Sequence, residues 1–261
     1  MRGADLVKKA EAQAAFYAEN PKVEVIFLAG SVARGWDDAF SDIELHILWK
    51  APPTEEDRIG PVSEVGGSIL SFEPYEDEEW SEAYTDESGL KFEISSFLTE
   101  TVERYITDVV EDGEFDYDKQ CILSSIQDGK ILYGKAQGQR MKTRTDAYPD
   151  VLAAKMISEN LELTNRWSNR QALKVRGDWL MFYDLVTFVQ KKLMGVLFGM
   201  NRMYVQHPSF KWMVWNIDRM EEKPDRFGER MSTLISKDPA DTLADLEALV
   251  EEVRALVSKR G

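Results

Sequence analysis

"GSVARGWDDAFSDIEL" occupies residues 30–45 and sets a glycine-serine turn ten residues before a pair of acids. The apolar, β-branched run "VEVIFLAG" (23–30) leads into it and predicts a strand. "DIELHILW" (42–49) alternates Ile43, Leu45, Ile47 and Trp49 against Asp42, Glu44, His46 and Leu48, which predicts a second strand with one apolar face. Side chains two apart on a strand share a face, so Asp42 and Glu44 point the same way. Two carboxylates that close repel, and one is driven towards protonation unless a cation sits between them. Mg²⁺ takes such oxygen ligands and leaves positions open for substrate phosphates. Gly30 lets a backbone approach a phosphate closely, and Ser31 offers an N–H and a hydroxyl. A short helix begun by "SVARGW" would turn its N-terminus towards an anion, with Arg34 adding charge.

A third acid lies further on. "LKFEISSFL" (90–98) predicts another alternating strand, carrying Glu93 between Phe92 and Ile94. Three acids would permit two metal ions, which clamp the attacking and leaving oxygens in phosphoryl transfer.

Around these strands, residues 4–19 have helical spacing through Leu6, Ala10, Ala14 and Tyr17. "SILSFEPY" reads as an extra strand. Residues 51–67 and the acidic run 76–89 read as loops, while 99–110 and 118–134 read as helices, the latter ending in a turn at Asp128-Gly129. The polar, basic stretch 135–150 marks a boundary that divides the chain into residues 1–140 and 141–261. Beyond it the pattern is helical over 151–170, about 173–204, 209–221 and 238–259. The expected fold class is α+β: a mixed sheet with flanking helices, then an all-α bundle.

The chain has 261 residues, 43% of them hydrophobic, which suffices for packed cores. Forty-seven acids against 32 bases give a net charge of −15. Such a surface repels phosphate backbones and argues against a nucleic-acid partner. It suits a cationic small molecule or a metal-bridged nucleotide. Cys121 is the single cysteine, so no internal disulfide forms, as befits a reducing cytosol. The first 16 residues carry charges throughout and do not read as a signal peptide. No apolar run approaches about 18 residues, so no membrane span is expected. The expectation is a cytoplasmic protein, monomeric or homodimeric.

Ala29-Gly30-Ser31, the ten-residue spacing to Asp42-Ile43-Glu44, and Phe92-Glu93-Ile94 together resemble the nucleotidyltransferase superfamily related to DNA polymerase β. The matching segment covers about 65 residues. The second acid of the pair is Glu, which many antibiotic-modifying members of that superfamily also carry. The resemblance implies that Asp42 and Glu44 bind Mg²⁺, two ions being expected. It makes Glu93 a third ligand, or the base that deprotonates an acceptor hydroxyl. ATP or another NTP would lie across Gly30, Ser31 and Arg34.

Residues 173–212 resemble the C-terminal helical region of antibiotic nucleotidyltransferases, on an Arg-Gly-Asp (176–178), a long helix, Asn-Arg-x-Tyr (201–204) and Lys-Trp (211–212). That resemblance implies a helical domain facing the metal cleft. Asp178 is then expected near the acceptor, and Lys211 or Arg176 near phosphate, Arg176 serving either role. As ordinary surface or capping residues the same three need no ligand.

His207, just before Pro208, reads as a loop histidine, and His46 as a residue that either tunes the acid pair or is structural. With two histidines and one cysteine, a zinc site is not expected. Trp36, Trp80, Trp167 and Trp215 read mainly as packing residues.

The sequence thus points to transfer of a nucleoside monophosphate, AMP by preference, from an NTP to a hydroxyl of a small molecule, such as an aminoglycoside- or lincosamide-like antibiotic. The alternatives are a protein-directed nucleotidyltransferase of antitoxin type and a non-catalytic nucleotide-binding relic. An RNA-nucleotide transferase is disfavoured by the charge.

Overall fold

The computed structural model describes residues 2–260. The first part of the chain runs α1 (Arg2–Ala18), β1 (Val23–Ala29), α2 (Gly30–Arg34), β2 (Ile43–Trp49), α3 (Glu55–Glu64), β3 (Ser68–Phe72), β4 (Trp80–Thr85), β5 (Lys91–Leu98) and α4 (Thr99–Val110). It continues through α5 (Tyr117–Asp128), β6 (Lys130–Tyr133) and α6 (Lys135–Thr145). Helices follow: α7 (Asp150–Leu161), α8 (Asn165–Ser168), α9 (Arg170–Arg176), α10 (Trp179–Met200), α11 (Met213–Arg219), α12 (Phe227–Thr233) and α13 (Pro239–Ser258). The class is α+β, with a six-stranded mixed sheet, flanking helices and a helical C-terminal region. Among the described residues no helix is long and apolar enough to cross a membrane.

Two compact units emerge. Residues 1–111 and 122–147 form the sheet unit, and residues 112–121 and 148–261 form the helical unit. Helix α6 spans the boundary expected at residue 140. It packs on α4, β1 and β6, which holds it in the sheet unit.

In the sheet unit the strand order is β3-β4-β5-β2-β1-β6. Every pairing is antiparallel except β2 with β5. Ile43, Leu45, Ile47 and Trp49 of β2 join Phe92 and Ile94 of β5 and Leu6, Ala10, Ala14 and Tyr17 of α1 in one buried cluster. Each fully buried aliphatic or aromatic side chain contributes about 1.5–3 kcal/mol. The alternate residues point to the opposite face. Phe27, Leu48 and Phe97 are buried there, and α4 packs against β2 and β5. Along the chain, Asp42 and Glu44 come before Leu48, and Glu93 comes before Phe97.

Two expectations are corrected. The acidic run 76–89 is not a loop throughout, because β4 forms within it between β3 and β5. Glu82 of β4 is buried and pairs with Arg58 of α3 at 2.7 Å. The same guanidinium donates to the Glu73 and Ser81 carbonyls at 2.9 Å and lies 3.9 Å from the centre of the Phe72 ring. That partner lets a carboxylate stand where the sequence suggests only solvent. Residues 51–67 likewise contain α3 rather than a plain loop. Thr54 and Asp57 cap it reciprocally, side chain to backbone in both directions, which offsets Gly60 and Pro61 within the helix.

In the helical unit α10 carries the core, with Phe182, Val186, Val189, Leu193 and Leu197 buried. It packs against α7 and α13. The helical run expected over about 173–204 is interrupted at Gly177, whose φ of 72° closes α9 before α10 begins.

Candidate metal centre

Strand pairing assembles the centre. Glu44 of β2 and Glu93 of β5 are direct partners in the parallel register. Asp42 stands one residue before β2, on the same face as Glu44. One carboxylate oxygen from each of Asp42, Glu44 and Glu93 lies within 4.8 Å of the other two. Like charges placed directly across a strand pair are destabilising, so the arrangement calls for a cation. Glu93 is the more open, its side chain 46% exposed against 20% for Asp42.

The turn after β1 is shaped around Glu44. Ala29 pairs with Glu44 across β1 and β2, and Gly30 follows at φ 66°. A Cβ on Gly30 would lie 2.3 Å from the Glu44 carboxyl carbon. Only glycine gives both the backbone angle and the room. Helix α2 is a single turn that Gly35 closes at φ 72°.

The loop between α2 and β2 is tied at both ends. The Ser31 and Ser41 hydroxyls are 3.2 Å apart, the Asp38 N–H donates to Ser41 Oγ at 2.9 Å, and the Phe40 N–H donates to Asp38 Oδ1 at 2.8 Å. Ser31 is buried, so its hydroxyl serves the loop. Arg34 is also turned to structure. It pairs with Asp128 at 2.9 Å, donates to Ser124 Oγ and has a side chain 8% exposed. Its charge and, above all, burial push the His46 pKa down to about 4. His46 stacks on Phe97, and its Nδ1 has no partner.

One cation already serves the acids. Lys91, two residues before Glu93 on the same face of β5, pairs with Glu93 and reaches Asp42 Oδ2 at 3.4 Å. The hydrogen bond to Glu93 raises the ammonium's pKa above its ordinary value, with burial opposing.

A family profile matches residues 116–213. It is described as "Domain of unknown function (DUF4037)". The segment contains Arg176, Asp178 and Lys211 and none of the three acids. No curated protein matches the chain. Among solved structures, the chain is similar to a nucleotidyltransferase-like protein from Exiguobacterium sibiricum 255-15, at 10% identity over 94% of this chain and 72% of that one, with a TM-score of 0.43. It is also similar to an aminoglycoside 6-adenyltransferase from Bacillus subtilis, at 10% identity over 96% and 89%, with a TM-score of 0.29.

In the helical unit, Arg176 and Asp178 flank Gly177 and line one pocket of about 410 Å³ with Asn165, Arg166, Asn169 and Met181. Lys211 is exposed and lies outside that pocket. His207 is in a loop, its Nδ1 accepting from the Ser209 N–H at 3.0 Å. Trp36 and Trp167 are largely buried, and Trp80 packs on Tyr75 at 4.2 Å.

Two residues escaped the sequence reading. Lys91 was legible in principle, since alternation along "KFE" puts it on the face of Glu93. Phe40, 94% exposed and two residues before Asp42, gave no pattern signal. Its outward position follows from the serine-tied loop.

Proposed function

We propose that the protein is a metal-dependent nucleotidyltransferase that moves a nucleoside monophosphate, AMP from ATP as the leading case, to a hydroxyl of a small molecule. The observation that carries this reading is the convergence of Asp42, Glu44 and Glu93 beside a glycine whose missing side chain makes room for Glu44. Three hard carboxylate oxygen donors, one of them freely reached from solvent, fit Mg²⁺ and leave coordination sites for phosphate.

Asp42 and Glu44 would hold the metal. When bound, Mg²⁺ neutralises and orients the triphosphate. Glu93, the more exposed acid, would take the proton of the acceptor hydroxyl. That oxygen then attacks the α-phosphorus, the bond to the β-phosphate oxygen breaks, and pyrophosphate leaves. Ser31 would contribute by holding the loop, and Phe40 offers an exposed ring to a nucleobase. The pocket of Arg176 and Asp178 is the proposed acceptor site. Its mixed charges and amides suit a hydroxyl-rich molecule, and an aminoglycoside- or lincosamide-like acceptor is one such class.

A non-catalytic nucleotide-binding reading draws on a specific observation of its own: the Lys91 ammonium pairs with two of the three acids. Titration calorimetry with Mg·ATP, alongside a screen of radiolabelled NTPs against hydroxylated small molecules, separates the two. Mg²⁺-dependent binding with labelled product supports the transferase. Binding without any product favours the relic. Absence of metal-dependent binding, unchanged in Asp42→Asn, sinks both.

A further inference from the structure

We propose that Lys91 is a tethered counter-ion that fills the centre in the absence of metal, must leave for a metal to enter, and so sets the metal affinity. This rests on the reading of Asp42, Glu44 and Glu93 as metal ligands. It adds a residue to which neither the sequence motif nor that reading gives a part.

The placement is specific. In the parallel register Ile43 faces Phe92, so Lys91, the first residue of β5, lies beside Asp42, the residue just before β2. Lys91 and Glu93 share a face of β5. The ammonium reaches one acid from each strand, Asp42 across the pair and Glu93 along its own strand. Three carboxylates within 4.8 Å repel one another. One ammonium offsets part of that repulsion and keeps the acids gathered.

The same geometry makes the ammonium a competitor. A divalent ion needs the Asp42 and Glu93 oxygens that Lys91 holds, and the ammonium cannot share that small volume with a second cation. Leaving is feasible, because the side chain is 40% exposed and ends a flexible four-carbon stem. A compact single charge is replaced by a double charge that takes several oxygens at once. The wild-type affinity is then the intrinsic affinity of the acids reduced by the displacement of Lys91.

The test is Mn²⁺ binding to the full chain, followed by electron paramagnetic resonance, for wild type, Lys91→Met, Lys91→Arg and Asp42→Asn. Thermal melts establish that each variant is folded. Lys91→Met keeps the stem and removes the charge. It should bind Mn²⁺ roughly five- to tenfold more tightly, the weight of one charge at contact distance in a well-solvated site. Lys91→Arg should return the affinity towards wild type, which a purely steric role would not. Unchanged or weaker binding by Lys91→Met, with wild type binding and Asp42→Asn not, overturns the counter-ion role and leaves the metal centre standing. Binding by Lys91→Met alone supports the counter-ion and turns the wild-type protein towards the non-catalytic reading. Failure of every variant to bind overturns both.

Discussion

Gly30 and Glu44 compete for the same space: a side chain on the first would sit 2.3 Å from the carboxyl carbon of the second. The turn and the acid are thus one feature. Gly30→Ala should force Glu44 aside as well as strain a backbone held at φ 66°, the latter costing about 1–2 kcal/mol. The expected outcome is a folded protein by circular dichroism with Mg²⁺-dependent ATP binding lost. Retention of wild-type metal affinity in Gly30→Ala would show that Glu44 is not a ligand.

Asp42→Asn keeps the shape of the side chain and removes one charge from the trio. Transferase activity should fall by about 10²-fold or more, the usual scale for losing a group that stabilises transition-state charge. Chelation with EDTA should do the same to wild type, and added Mg²⁺ should restore it. Activity indifferent to chelation would exclude the metal-dependent mechanism.

Arg176→Ala and Asp178→Asn alter the helical unit's pocket without touching the acids. The acceptor KM should rise about tenfold or more for loss of a charged hydrogen-bonding group, with the Kd for Mg·ATP unchanged. A change in ATP affinity instead would move Arg176 from the acceptor to the phosphate.

The buried pair of Arg58 and Glu82 should make stability depend on pH. Burial holds Glu82 up at about 7 although Arg58 lowers it. Its folded pKa lies above its ordinary value, so the folded state binds the proton more tightly. The stability this contributes is complete below pH 4.5 or so and is lost as pH rises through about 7. Arg58→Met would leave the carboxylate without its partner. It should destabilise by about 3–5 kcal/mol at pH 8 and by less at pH 5, where Glu82 is protonated. Denaturant unfolding at the two pH values measures this; equal losses would mean that Glu82 does not titrate in this range.

The strands of the centre were legible because β1, β2 and β5 obey simple patterns: one continuous apolar run and two alternating ones. Alternation alone places Asp42 with Glu44, and Lys91 with Glu93. What stayed hidden depended on partners distant in sequence. Glu82 reads as solvated until Arg58, 24 residues earlier, is seen beside it. Arg34 reads as a phosphate ligand until Asp128, 94 residues later, takes its guanidinium. Ser31 looks available until Ser41 is placed against it. Helix α3 begins at the reciprocal cap of Thr54 and Asp57, a signal that the loop reading of residues 51–67 did not use.

Helix α5 begins in the helical unit and ends in the sheet unit. Its first turns complete the helical core. Gln120 is buried with its Oε1 accepting from the Val205 N–H, the Tyr117 hydroxyl bonds Asn160, and the Gly113 carbonyl just upstream takes the Lys155 ammonium at 2.7 Å. A gene cut at residue 147 would therefore yield a helical fragment missing a piece of its own interior. Swapping in another helical unit would require transplanting two separate segments, so this protein resists the end-to-end domain shuffling that contiguous modules allow.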